Sequence, residues 1–153
     1  MPHLSLNSPL GPLTVFEDRG AVVAVEWGRA GTPDPSSPSP LLEEARRQLD
    51  AYFDGRLKAF DLPLHPAGSA FRRAVWGQML RIPYGRTRTY GDIADALMSA
   101  PRAVGGACAA NPIPIIVPCH RVVSADGRMI GYSGGQGIET KIQLLKLEGY
   151  LVA

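Results

Sequence analysis

Residues 115 to 123 read IIVPCHRVV. A thiol, an imidazole and a guanidinium stand in three consecutive positions, Cys119, His120 and Arg121, directly after a proline and inside an otherwise apolar run. A strand that only filled a core would have no use for that order. A nucleophilic cysteine must reach its thiolate form, a free thiol ionises at about pH 8.5, and a neighbouring histidine acting as base or ion-pair partner is the usual means. Adjacent residues on an extended chain point to opposite faces, so a bridging water is as realistic a link between thiol and imidazole as a direct bond. Pro118 fixes the approach. The bland alternative is a buried, inert cysteine beside a hydrogen-bonded histidine.

The elements that must hold this run change character along the chain. LSLNSPLGPLTVFEDRGAVVAVEW is β-rich, with turns at Ser8-Pro9, Gly11-Pro12 and Asp18-Arg19-Gly20, the last joining two runs as a hairpin. This predicts an antiparallel sheet. GRAGTPDPSSPSP, residues 28 to 40, is too rich in Gly, Pro and Ser for an element and reads as a mobile loop. A helix follows: Ser39 caps it, Pro40 suits its first turn, Glu43 and Glu44 complement its positive end, and Leu42, Ala45, Leu49 and Tyr52 recur on one face up to Gly55. KAFDLPLHPAGSA is read as an extended segment running into a linker, which divides the chain into domains 1–65 and 66–153.

In the second half, SAFRRAVWGQMLRI predicts a core helix capped by Ser69, with Phe71, Val75, Leu80 and Ile82 near one face, stopping before Pro83-Tyr84-Gly85. TYGDIADALM begins with Thr89 as N-cap and Asp92 three residues on, and after Ser99-Ala100 a proline opens the next helix, RAVGGACAAN. Two short helices and a tight turn resemble a helix-turn-helix, although ordinary helix packing produces the same pattern. The second helix is nearly bare, with Ala103, Gly105, Gly106, Ala107, Ala109 and Ala110, even though each interior Gly costs about 0.5 to 1 kcal/mol against Ala. Either another helix packs closely on it or a groove admits its backbone. A helix with side chains is about 10 to 12 Å wide and suits the DNA major groove, whereas the minor groove, about 6 Å wide, favours a stripped one. Arg102 at its start is placed to reach into a duplex.

Composition sets the outer limits. A chain of 153 residues, 45% hydrophobic and 20% charged, is an ordinary globular protein of one good core or two small ones. Its apolar stretches fall short of the roughly 18 to 20 residues that span a bilayer, and MPHLSLNSPL lacks a secretory signal pattern, so it is read as cytoplasmic. Two cysteines, Cys108 and Cys119, make neither a disulfide framework nor a pair of CxxC ligands, and no cofactor motif is present. Residues 1–69 hold six Lys/Arg against nine Asp/Glu, residues 70–131 hold eight Arg against three Asp, and residues 132–153 balance at two and two. The excess of arginine around the cysteine is either a footprint for phosphate or a solvated basic face.

NPIPIIVPCHRVV, followed by GYSGG and preceded by TYGDIA and PRAVGGA, strongly resembles the O6-alkylguanine-DNA alkyltransferases, the direct-reversal DNA repair proteins, over residues 70 to 149. SPLGPL and the β-rich first half are similar to that family's smaller domain. The resemblance implies an N-terminal α/β domain of the ribonuclease-H-like type, antiparallel sheet plus helix, and a mainly α C-terminal domain whose helix-turn-helix binds the minor groove of double-stranded DNA. It implies that an O6-alkylguanine, with O4-alkylthymine as a second candidate, is flipped into a pocket, that its alkyl group passes to cysteine, and that the protein, a monomer without cofactor, is consumed. Residue by residue, the resemblance makes Cys119 the acceptor, His120 its base through water, and Glu148 in LLKLEG the group that orients the histidine. Asn111 ties the cysteine loop to the helix-turn-helix. Tyr90 supports flipping and donates a proton to the departing guanine, and Arg102 fills the vacated place in the stack, with Ala103 and Gly105 on the DNA-facing helix. Pro114, Val122, Tyr132 and Ser133 line the base pocket.

Three features depart from the family pattern. The position just before the asparagine, often a second arginine, is here Ala109 or Ala110, which removes a phosphate contact from that end. QGIETKIQLLKLEG after Gly135 reads as a longer loop than usual. Some larger relatives hold a zinc through N-terminal Cys and His residues. No cysteine precedes Cys108, so no metal is expected here, and His3 and His65 are read as surface or packing residues. Two other classes stay open: a non-catalytic binder of alkylated bases, which would carry another residue in place of the nucleophile, and a Cys-His hydrolase of unrelated fold.

Overall fold

A computed structural model describes residues 1–31, 39–126, 132 and 134–150; Ser133 and the middle of the 28–40 loop lie outside them. The chain divides into two compact units, Met1–Ala67 and Gly68–Ala153. No helix among the described residues is long and apolar enough to cross a membrane.

In the first unit, strands β1 (His3–Leu6), β2 (Leu13–Asp18) and β3 (Ala21–Trp27) form an antiparallel sheet in that order. Alternation sets Leu4 and Leu6 opposite Val15 and Leu13 on the buried face. The hairpin at Asp18-Arg19-Gly20 has Arg19 at φ 51° and Gly20 at φ 79°, the left-handed pair that matches the twist of the strands it joins. A bulge at Phe16/Glu17 leaves Val23 without a Cα partner, so Val22 and Val25, three residues apart, both turn inward. Helix α1 (Pro40–Phe53) packs on this sheet. Ser39 Oγ accepts from the Leu42 N–H at 3.1 Å, and Leu42, Ala45, Leu49 and Tyr52 are buried as their spacing predicts. The segment predicted as extended lies beside β3, where Val22 N–H donates to Pro63 O at 2.8 Å and His65 N–H to Val22 O at 2.9 Å.

The second unit contains α2 (Ala70–Met79), β4 (Arg88–Thr89), α3 (Tyr90–Ala96), α4 (Pro101–Ala109), a 3-10 turn at Cys119–Arg121, β5 (Val122–Val123) and α5 (Ile138–Leu147). The core face of α2 is Val75, Trp76 and Met79, with Ile82 beyond it. The predicted Leu80 is 50% exposed, because the helix ends at Met79 and the chain turns before the pattern completes, and Phe71, in the first turn, is only half-buried. Trp76 Nε1 donates to Ala107 O of α4 at 2.8 Å. A Cβ on Gly68 would stand 2.6 Å from the Trp76 ring, so the chain can enter α2 at this closeness only with glycine. Thr89 and Asp92 cap α3 reciprocally, Asp92 N–H to Thr89 Oγ1 at 3.0 Å and Thr89 N–H to Asp92 Oδ2 at 2.9 Å. Helices α3 and α4 pack on each other across a turn of residues 97–100. On α4, Val104, Ala107 and Cys108 are buried, while Arg102, Ala103, Gly106 and Ala109 are exposed.

One element corrects the sequence reading. The stretch expected to be a long loop after Gly135 is largely helix α5, whose buried face is Thr140, Lys141, Leu144 and Leu145, with Glu148 at its C-cap. A threonine and a lysine in core-facing positions break the apolar periodicity from which a helix is read.

Candidate active site

The cysteine loop is built on one side chain. Asn111 Nδ2 donates to Val117 O at 2.9 Å and Oδ1 accepts from Ile113 N–H at 3.0 Å. Val117 N–H closes the same loop on Ile113 O at 2.9 Å. Within it, Ile116 N–H reaches Pro114 O at 2.9 Å across Ile115, whose φ is 74°, a γ-turn of the strained hand and rare for a β-branched residue. Pro118, at φ −83° and ψ 68°, forms the relaxed inverse γ-turn, with Cys119 N–H on Val117 O at 2.8 Å. A proline ring holds φ near the value this turn needs. The expected extended geometry begins only at Val122, since Cys119, His120 and Arg121 form a 3-10 turn. With about three residues per turn, consecutive side chains diverge by roughly 120° rather than pointing to opposite faces. Three functional groups thereby leave in three directions.

Two of those directions converge on Glu148. Its carboxylate takes His120 Nε2 at 2.7 Å, Arg121 Nε at 2.8 Å, Arg121 Nη2 at 3.0 Å and the Gly85 N–H at 3.3 Å. Arg121 Nη1 also donates to Ile82 O at 2.7 Å. A carboxylate paired with a guanidinium is ionised and only accepts, so His120 carries its proton on Nε2 and presents Nδ1 as a lone pair. Nδ1 is buried and has no hydrogen-bond partner among the described residues. Burial holds His120 below its ordinary value, against the hydrogen bond and charge of Glu148 that pull it up. At neutral pH it is a neutral base.

The third direction is that of the thiol. Cys119 is 8% exposed. Burial pushes its thiol up, opposed by the Asn111 amide, the Lys141 charge and the backbone N–H groups of Cys119 and His120. Lys141, fully buried, donates to Val122 O at 2.5 Å and stands 5.7 Å from the centre of the Tyr90 ring. Burial lowers it from 10.5 to about 8, against the attraction of Cys119 and Cys108. Tyr90 and Tyr132 are raised, by burial first and by Cys119 as a smaller cause, with Cys108 adding at Tyr90. Both phenols stay protonated at neutral pH and are available as donors. The same burial pushes Cys108 up to about 12.

The structure thus brings Cys119, His120, Asn111 and Glu148 into one cluster, with Tyr90 and Tyr132 near enough to Cys119 to feel its charge. Pro114 and Val122 are buried in the loop and strand on either side of the thiol. Arg102 and Ala103 are exposed on α4 and Gly105 is half-buried there. Ser133 lies outside the described residues. The sequence reading assigns Arg121 and Lys141 no role at the site. Arg121 adjoins the histidine in the motif itself. Lys141 lies three, four and seven residues before Leu144, Leu145 and Glu148, so a helical reading of that segment would have put its ammonium on the core face.

Comparison with known proteins fits this geometry. Residues 3–66 match the family model described as 6-O-methylguanine DNA methyltransferase, ribonuclease-like domain, and residues 70–150 the one described as 6-O-methylguanine DNA methyltransferase, DNA binding domain. The chain belongs to this family. Among 6-O-methylguanine DNA methyltransferases, it is 44% identical to a methylated-DNA--protein-cysteine methyltransferase of Methanosarcina acetivorans, covering 97% of this chain and 99% of the relative. It is 45% identical to one of Mycobacterium leprae, covering 97% and 92%. The crystal structure of Mycobacterium tuberculosis OGT in complex with DNA superposes with a TM-score of 0.84 at 41% identity, covering 97% and 93%. In keeping with the family, the chain has an N-terminal ribonuclease-like domain with an antiparallel sheet and a helical C-terminal DNA-binding domain.

Proposed function

We propose that this chain repairs DNA by direct reversal, moving the alkyl group of an O6-alkylguanine in a duplex onto its own Cys119, once per molecule. The observation that carries the reading is a buried cysteine on an Asn111-clamped turn, next to a histidine held neutral with Nε2 on Glu148 and Nδ1 unpartnered. His120 Nδ1 takes the thiol proton through a bridging water. The thiolate attacks the alkyl carbon, the new S–C bond forms as the C–O6 bond breaks, and the guanine leaves with the electron pair. Tyr90, kept protonated by burial, donates to the departing base. Lys141 supplies positive charge near the thiolate and holds the Val122 carbonyl.

The bare α4 enters the minor groove, with Ala103 and Gly105 letting its backbone approach and Arg102 taking the place of the flipped nucleotide. Pro114, Val122 and Tyr132 line the base pocket. On this reading the chain acts as a monomer in the cytoplasm.

The test is incubation with a duplex carrying O6-[methyl-labelled] guanine, followed by peptide mass analysis. Label on the peptide containing Cys119, and none with Cys119→Ala, is the expected result. Ester or peptide turnover without stable label would favour a Cys-His hydrolase, and duplex binding without label a non-catalytic binder.

A further inference from the structure

Helix α4 has cationic reach at one end only. Its exposed face is Arg102, Ala103, Gly106 and Ala109, so beyond the first turn nothing on it extends past a methyl group. If Arg102 enters the duplex in place of a base, no side chain of α4 remains for the phosphates. Half to two-thirds of protein–DNA hydrogen bonds go to phosphate and sugar, and these contacts fix register on the duplex. Another element has to supply them.

Helix α2 is fixed beside the bare C-terminal half of α4 by the 2.8 Å bond from Trp76 Nε1 to Ala107 O. Arg72 lies four residues before Trp76, about 6 Å along the helix on the same face, next to the point where Gly68 closes on the Trp76 ring. The face of α2 that packs against α4 therefore continues, at its first turn, into an exposed arginine. Arg73 is its exposed neighbour. Neither guanidinium has an ion pair or side-chain hydrogen bond among the described residues, whereas Arg46, Arg47 and Arg56 in the first unit are all paired with carboxylates. Arg19, Arg81 and Arg86 likewise show no carboxylate partner among the described residues, so it is the position of Arg72 and Arg73, beside a helix stripped of cations, that suits them to phosphate.

We propose that Arg72 and Arg73 at the start of α2 hold the DNA backbone alongside α4, in place of the second arginine that α4 lacks. The inference rests on the DNA-repair reading above. The probe is an unmodified B-form duplex, with affinity measured over a series of salt concentrations. Each phosphate contact contributes about 0.9 to the slope of log K against log salt. Arg72→Gln/Arg73→Gln should reduce the slope by about 1.8, Arg72→Gln alone by about 0.9, and Arg72→Lys/Arg73→Lys should restore it, since a phosphate contact asks for a charge. Arg81→Gln, the same charge change beyond the other end of α2, should leave the slope as in the parent protein. An unaltered slope in the double glutamine variant, or an equal loss with Arg81→Gln, overturns the proposal while the repair reading stands. A parent protein without salt-dependent duplex binding would overturn both.

Discussion

At the scale of single residues, Glu148 is the point on which three segments depend: the His120 imidazole, the Arg121 guanidinium and the Gly85 backbone all end on its carboxylate. Glu148→Gln leaves Arg121 buried without its counter-charge, and removing one partner of a buried pair costs about 3 to 5 kcal/mol. Against a stability of about 5 to 15 kcal/mol the variant should still fold, with a clearly lowered Tm. It should also transfer methyl about 100-fold more slowly at neutral pH, a base contributing about 10²- to 10⁴-fold, and recover as pH rises and the thiol ionises unaided. Single-turnover rates across pH check this, and an unchanged profile would remove Glu148 from the relay. Lys141 gives a second pH signature. Lys141→Met removes charge that favours the thiolate, so transfer should slow at pH 7; the gap from the parent should narrow above pH 8, where Lys141, lowered to about 8, loses its own charge. Stability has the matching sign. Between about 8 and the unfolded value of about 10.4 the unfolded chain binds the extra proton, so burying Lys141 costs stability at neutral pH and that cost disappears as pH rises through the window. The buried thiols and phenols titrate with the opposite sign, and because Lys141 also pulls Cys119 and Cys108 down, the difference between parent and Lys141→Met in urea denaturation reads the lysine together with its coupling to the thiols.

At the scale of elements, the thiol is aimed by a loop that has almost no regular structure of its own. Asn111→Ala deletes both side-chain bonds that hold residues 113 to 117, each worth about 0.5 to 1.5 kcal/mol net. The expected result is a stability loss of about 1 to 3 kcal/mol, together with a fall in transfer of more than about tenfold, because misaiming a nucleophile is costlier than loosening it. A rate that follows stability alone would make Asn111 merely structural. Arg102→Ala should impair repair in duplex DNA far more than dealkylation of free O6-methylguanine, since only the duplex requires flipping; equal losses on both would argue against an inserted side chain. Much of this was legible in the sequence: the hairpin at Arg19-Gly20, the Ser39 and Thr89 caps and the bare α4 each follow from local chemistry acting within a few residues. The turn at Cys119 was not, because it depends on Asn111 reaching six residues ahead to Val117. Helix α5 was hidden by Lys141 for the same reason, since a lysine becomes a core residue only when Val122 and Tyr90, distant in sequence, come to meet it. Leu80 shows the reverse error, a period followed past the residue where its helix stops.

At the scale of the whole molecule, the chemistry implies a protein used once. A thioether at Cys119 has no good leaving group, and the other thiol, Cys108, is pushed up to about 12 by burial, so it is protonated and inert at neutral pH. Nothing among the described residues is equipped to regenerate the acceptor. The transferred group must also be housed where Cys119 is already 8% exposed and its neighbours Val117 and Val122 are fully buried. Overpacking of such a site costs about 1 to 3 kcal/mol, and for a chain of this size each kcal/mol shifts Tm by about 2 to 4 °C. The strain falls on a loop joined through Asn111 to the end of α4, and through the pairing of β4 with β5 to the cap of α3, so the helix pair proposed to hold DNA should loosen with it. Titration with excess methylated duplex is therefore expected to plateau near one methyl per chain, and the alkylated product to melt several degrees lower and bind DNA more weakly than the free form. Continued linear turnover would make the protein a true catalyst, and an alkylated form as stable as the parent would mean that the loop relaxes around the added group without passing strain to the helices.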